Sequence, residues 1–338
     1  MSPSKLPQTA DIPVVDISPF IGGGQLDTRQ RVAQQLAELG RVNGCLGISG
    51  HGLSPALLEE AFRVTKQLFD LPYEKKMKAP HPNGPVPHRG YSGTGRENPA
   101  KKTALEATED AQKDEYSKIV DFKESYEIGS DENAVHYNIW LPDDVLPGFR
   151  RATTKLFWEL YKTAQALLDA LIMSIDLTEQ EAERVRALHT GHENQVRLLH
   201  YPPVPNAAPG SSRLGAHTDW SLFTLLFQDA NGGLEFLDRG TDTFIPATPK
   251  DGVLYMNIGD MFQRISNGFY PSTLHRVVAS QGTTAARYSI PYFVVPEPDG
   301  IVQPQPSRVA IDGKQLYEPV TFGGYSTKML ETILVHGA

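Results

Sequence analysis

Apolar positions follow two different periods along this chain. Before residue 79, and again from 148 to 178, they recur at helical spacing. "TRQRVAQQLAELGRV" predicts a helix ending near Gly40, since glycine weakens the helical state. "SPALLEEAFRVTKQLFDL" predicts a stronger helix, with Ser54 as N-cap, Pro55 in the first turn and Pro72 beyond its end. "PGFRRATTKLFWELYKTAQALLDALIMSIDL" predicts the longest, about 28 residues if unbroken. Two short strand patterns, "DIPVVDISPF" and "CLGISG", lie among the first helices. From residue 194 the period shortens. "QVRLLHYPP", "SLFTLLFQD", "GLEFLDR", "TFIPATP", "GVLYMNIGD", "TLHRVVAS" and "RYSIPYFVV" read as strands separated by turn residues, with a hairpin at Asn231-Gly232-Gly233. Such a series predicts a sandwich or barrel. The tail, "YSTKMLETILVHGA", predicts a short helix packed back on the body.

Residues 79–118 break both periods. They are rich in Pro, Gly and charge and hold few large apolar side chains, so they cannot build a core of their own. They read as a long surface segment that could close over a site, with Gly90, Gly93 and Gly95 as hinges and Tyr91 as an aromatic contact. The expected organisation is an N-terminal mixed region, 1–120, and a helix plus β-rich core, 121–338, packed as one unit. A net charge of −8 argues against broad binding to nucleic acid or anionic membranes. No apolar run is long enough to span a bilayer. The start of the chain reads as neither a signal nor a transit peptide. The single Cys45 excludes an intrachain disulfide and fits a reducing, cytoplasmic setting.

The candidate chemistry begins at "LGAHTDWSLFTLLF". His217 and Asp219 are two residues apart, and on a strand such residues share a face. With ten His and 40 acidic residues, chance alone gives about one such pair, so a third ligand is needed. His275, in "YPSTLHRVVAS", supplies it. Two imidazoles and a carboxylate with open positions suit a non-haem Fe(II) oxygenase, although zinc hydrolases use the same ligand types. Further on, Arg287 and Ser289 in "ARYSIPYF" form a possible carboxylate clamp, with Tyr201 as a third donor. A triad with a clamp suits a dicarboxylate that chelates iron at one end and is gripped at the other, as 2-oxoglutarate could. Asp260 reads as a turn residue capping backbone donors. "HTGHE" at 189–193 matches no zinc motif.

The set "HYPP", "HTDWSLFTLLF", "NIGDMFQRISNGFYPSTLHRV" and "RYSIPYF" resembles the isopenicillin N synthase-like family of 2-oxoglutarate/Fe(II)-dependent dioxygenases. The likeness covers about 11–78 and 120–300. It implies a double-stranded β-helix, a distorted jelly roll with helices packed outside. It implies iron ligation by His217, Asp219 and His275, and a grip on 2-oxoglutarate by Arg287, Ser289 and Tyr201. Here Cys45-Leu46 replaces the family's usual aromatic pair, and Leu199 stands where many plant members carry Asn. The cofactors implied are Fe(II), 2-oxoglutarate and O₂. The partner is a small organic molecule oxidised at an unactivated C–H bond, by hydroxylation, desaturation or ring expansion, with Trp220, His192, Arg197 and Tyr91 as candidate contacts. The texture is that of fungal secondary-metabolism enzymes, including those acting on polyketides and tropolones. The alternatives are an Fe(II) oxidase of the same fold that dispenses with 2-oxoglutarate, a zinc hydrolase, and a jelly-roll binding protein that has lost its metal.

Overall fold

The computed structural model describes residues 11–83, 88–106, 122–203, 212–279 and 285–333. Its strands are β1 (Val14–Asp16), β2 (Cys45–Ser49), β3 (Gly90–Ser92), β4 (Glu124–Gly129), β5 (Gln195–Tyr201), β6 (Ser212–His217), β7 (Phe223–Gln228), β8 (Leu234–Asp238), β9 (Thr243–Pro246), β10 (Leu254–Ile258), β11 (His275–Val278) and β12 (Arg287–Val294), with a short two-stranded pair beyond. They form an eight-stranded sheet in the order β1-β2-β10-β7-β12-β5-β4-β3 and a four-stranded sheet in the order β6-β11-β8-β9. Two sheets with helices packed outside them form the double-stranded β-helix that the sequence pattern and the resemblance imply. Strands from the N-terminal third occupy both ends of the larger sheet, so that part of the chain completes the core.

Helices cover the larger sheet. The longest, Phe149–Met173, runs 25 residues and buries an apolar stripe that includes Leu156, Leu160, Ala164, Leu167 and Leu171. The helix Pro55–Phe69 begins where the sequence predicts, with Ser54 Oγ accepting the Leu57 N–H. No helix among the described residues is long and apolar enough to cross a membrane.

Four expectations change. The helix Leu26–Asn43 passes through Gly40 and stops at Gly44, which adopts the left-handed conformation (φ 68°). Gly40 is there for packing: a Cβ on it would lie 2.8 Å from the Tyr270 ring. The turn at Asn231-Gly232-Gly233 is no hairpin, because β7 belongs to the large sheet and β8 to the small one; it carries the chain between them. β3 and β6 were not predicted; both are short, and β6, "SRLGAH", lacks a clear alternation. Finally, the described parts of 79–118 are no surface insertion. Arg89, Tyr91, Glu97, Asn98, Ala100 and Lys102 are all buried. The helix Ala100–Glu106 packs on β6, and β3 extends the large sheet at β4. Residues 84–87 and 107–118 of the expected lid lie outside the described residues.

Candidate active site and metal centre

His217 ends β6 and His275 begins β11. The two are paired directly across an antiparallel ladder, with ring centroids 4.3 Å apart. Asp219 lies beyond the strand, so the alternation of strand faces does not bring it in. Three other contacts do. Thr224 Oγ1 and Asn257 Nδ2 donate to Asp219 Oδ2 at 2.6 and 2.8 Å, and the backbone N–H of Asp260 donates to the Asp219 carbonyl at 2.9 Å. Oδ1 is left facing both imidazoles, 3.8 Å from each Nε2. Each imidazole is oriented from behind. His217 Nδ1–H donates to Gly215 O at 2.8 Å and His275 Nδ1–H to Thr273 O at 3.0 Å, which turns each Nε2 lone pair toward the others.

These three ligand atoms lie within 4.8 Å of one another. Burial, with the His275 ring beside it, pushes His217 down to about 3, which keeps its Nε2 lone pair free to bind a metal. Burial opposes the charge on Asp219. The neighbouring His275 and His217 and the bonds from Thr224 and Asn257 outweigh it and hold the carboxyl below its ordinary value. Two imidazoles and a carboxylate aimed at one point fit Fe(II) in donor type and geometry. Asp260 is not a simple turn cap. Its side chain accepts from Lys102 Nζ at 2.5 Å, Ser272 Oγ at 2.7 Å and Tyr325 Oη at 2.8 Å. Lys102 also donates to Thr218, between the two ligands.

Arg287 and Ser289 lie on β12 two residues apart, both fully enclosed. Arg287 Nη1 donates to Ser289 Oγ at 2.9 Å, Nε to Gly232 O at 2.6 Å and Nη2 to Gln228 Oε1 at 3.1 Å. Its guanidinium stands 4.8 Å over the Tyr201 ring, and Tyr201 is its register partner on β5. Burial pushes Arg287 below its ordinary value. Gln228, placed opposite Ser289 by the β7–β12 ladder, braces the guanidinium from the side while its own Nε2 donates to Ala247 O at 2.6 Å.

Comparison with known proteins agrees with this geometry. Residues 192–296 match the 2OG-Fe(II) oxygenase superfamily, and residues 12–143 match the N-terminal region described as that of the non-haem dioxygenase in morphine synthesis. The 2-oxoglutarate-dependent dioxygenase htyE of Aspergillus rugulosus is 34% identical over 313 residues, covering 90% of this chain and 92% of the relative. The chain belongs to the 2OG-Fe(II) oxygenase superfamily. The proline hydroxylase buaE of Petromyces alliaceus is 33% identical, with 88% of this chain and 91% of that one covered. A full-length Neurospora crassa protein, solved in complex with alpha-KG and thymine, superposes with a TM-score of 0.82 at 30% identity, over 96% of this chain and 98% of that one. This oxygenase is therefore a 2-oxoglutarate- and Fe(II)-dependent dioxygenase.

Two spaces border His217 and Asp219 in this dioxygenase. A small chamber of about 50 Å³ is lined by Tyr201, Arg287 and Ser289 together with His217, Asp219 and His275. A larger cavity of about 350 Å³ also reaches His217 and Asp219. Arg197 and Phe293 line both spaces, and Trp220 lines the larger one. Two other expected contacts fall elsewhere. Tyr91 is buried and lines neither space, because its hydroxyl is spent on Glu124 Oε2 at 2.6 Å. His192 points away toward Trp158 and Glu132, while its neighbour Glu193 lines the cavity. Sequence reasoning missed the C-terminal helix Phe322–Ile333 as a wall, contributing Phe322, Leu330 and Ile333; its amphipathic pattern signalled packing but not against what.

A second cluster of possible ligands, His88, Glu97 and Glu127, is already neutralised. Glu97 accepts from His88 Nε2 at 2.7 Å, Lys123 Nζ at 3.1 Å and Arg197 Nη1 at 3.1 Å, and Arg197 Nε lies 3.0 Å from Glu127. Cations fill the space a metal would need.

Proposed function

We propose that His217, Asp219 and His275 hold the Fe(II), that Arg287, Ser289 and Tyr201 hold the distal carboxylate of 2-oxoglutarate, and that the larger cavity receives a small organic molecule. The observation that carries this reading is the pair of spaces sharing His217 and Asp219. One is small, with a buried guanidinium at its end, and the other is large enough for an organic substrate. Bound at the triad, Fe(II) would supply redox chemistry that couples O₂ and the oxidative decarboxylation of 2-oxoglutarate to C–H oxidation, with CO₂ released, one oxygen atom leaving in succinate and the other in a hydroxylated product.

The chain's own residues position the reactants. Arg287 presents a planar pair of N–H donors to a carboxylate while Gln228 and Gly232 fix its plane. Thr224 and Asn257 reserve one oxygen of Asp219 for the metal. The apolar walls, including Trp220 and Phe293, keep water from the reacting carbon and hold that carbon near the metal side of the cavity. The relatives include a proline hydroxylase and a protein solved with thymine, so we assign a small organic metabolite without choosing among substrates, and we place the reaction among tailoring steps on such metabolites. No feature of the walls selects a polyketide.

The test is 2-oxoglutarate turnover. Wild-type protein with Fe(II) and O₂ should release succinate, faster when a substrate is present. His217→Ala, Asp219→Ala and His275→Ala should each abolish this. Oxygen-dependent product formation without any succinate would instead establish the oxidase alternative.

A further inference from the structure

Two guanidinium groups reach the larger cavity, and they differ in how they are satisfied. Arg197 is committed to Glu97, Glu127 and His88. Arg89 is not. It is 4% exposed, yet among the described residues its side chain makes one hydrogen bond, from Nη1 to the backbone carbonyl of its own neighbour His88, at 2.9 Å. Its Nε is buried with no partner. Among the described residues it forms no ion pair. Glu193, which lines the cavity along with Asp219, is engaged by His136 at 2.7 Å and by Asn133 at 2.9 Å.

The position of Arg89 is built rather than incidental. Its guanidinium lies flat on Gly129 at the end of β4. A Cβ on residue 129 would sit 2.1 Å from Nη2 and 2.5 Å from Cζ. Gly129 does not have a positive φ, so the space for Arg89, and not backbone freedom, calls for glycine here. Asn138 holds the strand end in place through both backbone groups of Gly129, at 2.7 and 2.9 Å. A buried cation with unused planar donors in a fixed cradle is costly unless an anion completes it. Burial pushes Arg89 down to about 10, and the charges of Glu193 and Glu127 do not restore it.

We propose that Arg89 anchors a carboxylate of the organic substrate, whose apolar body lies against the Trp220, Phe293, Phe322, Leu330 and Ile333 side of the same cavity. The proposal rests on the dioxygenase reading and narrows its substrate to small apolar carboxylic acids. Planar, bidentate pairing is what a guanidinium offers a carboxylate and does not offer an amide or ester.

Binding, not turnover, tests it. A set of small arylalkanoic acids, phenylpropionate and phenylbutyrate among them, is titrated calorimetrically against its matched primary amides. The titrations use anaerobic protein saturated with Fe(II) and 2-oxoglutarate, so the 2-oxoglutarate chamber is filled. The unloaded protein is titrated in parallel. Acids should bind about tenfold or more tightly than their amides, a difference of about 1.4 kcal/mol. Arg89→Gln should bring the ratio near one. Gly129→Ala, which displaces the guanidinium without removing it, should lower the ratio as well; thermal unfolding checks that each variant is folded. Equal binding of acids and amides by wild type, no binding of any acid, or a ratio preserved in folded Arg89→Gln protein overturns the proposal. Failure of the dioxygenase reading would show separately, as no Fe(II)-dependent 2-oxoglutarate binding in the same wild-type protein.

Discussion

Asp219 shows how much of the metal centre depends on residues that are not ligands. Its carboxylate faces the imidazoles because Thr224 and Asn257 occupy the other oxygen. Removing such an outer partner commonly costs about 10–100-fold in metal affinity. Asn257→Ala should therefore weaken Fe(II) binding by about that factor, measured by anaerobic metal titration, with His217 and His275 unaltered. Unchanged affinity would mean that the carboxylate is oriented by something else. The proposed ligands could be picked out in the sequence because iron chemistry restricts residue type, and Arg287 and Ser289 because strand spacing puts them on one face. Thr224, Asn257, Gln228 and Lys102 were not legible. They are common polar residues that acquire a role only when β7, β10 and the helix Ala100–Glu106 are placed beside the triad. Tyr91 misled for the converse reason: an aromatic in a Gly-rich segment looks available, yet its hydroxyl was already taken by Glu124.

Among the elements, the helix end at Gly44 and the helix Phe322–Ile333 bear most directly on the site. Gly44 has a positive φ, and a Cβ there would meet the Pro271 carbonyl at 2.0 Å. Its own carbonyl accepts the Ile258 N–H, and Asn43 O accepts Thr273 Oγ1 just before His275. Gly44→Ala should lower stability by at least about 1 kcal/mol, from the left-handed conformation alone, as read from the midpoint of urea unfolding. A midpoint equal to wild type would show that the turn can relax. Truncation before Phe322 removes a cavity wall but no residue lining the small chamber. Calorimetry should find 2-oxoglutarate binding retained, whereas stimulation of succinate release by organic substrate should be lost. Loss of 2-oxoglutarate binding in folded truncated protein would contradict the division into two spaces. The helices and most strands could be read from periodicity. The failures were short strands with little alternation, and the Asn231–Gly233 turn, where local signals cannot say whether the next strand pairs with the last or crosses to the other sheet.

For the molecule as a whole, buried histidines set the acid side of stability. Burial holds both His81 and His189 down to about 4, from an ordinary 6.5. Between those values the unfolded chain binds protons that the folded chain does not, so stability rises with pH up to 6.5 and is lost as pH falls toward 4. Carboxyls held below their ordinary 4.5, such as Glu181 at about 2, contribute stability that is lost only further down. Urea unfolding across this range should show the loss, and His189→Gln should flatten the slope by up to one proton; an unchanged slope would remove His189 from the account. The fold sets Arg287 and Ser289 on the large sheet against His217 and His275 on the small one, so the central claim can be tested at one residue. That claim is that Arg287 grips 2-oxoglutarate while the His217–Asp219–His275 set holds the metal that its other end reaches. Calorimetric titration of 2-oxoglutarate into anaerobic Fe(II)-loaded protein measures it directly. Losing one partner of a buried, hydrogen-bonded charge pair costs about 2–5 kcal/mol, so Arg287→Ala should weaken binding by a factor of tens to thousands. An affinity for 2-oxoglutarate in folded Arg287→Ala protein equal to that of wild type would contradict it.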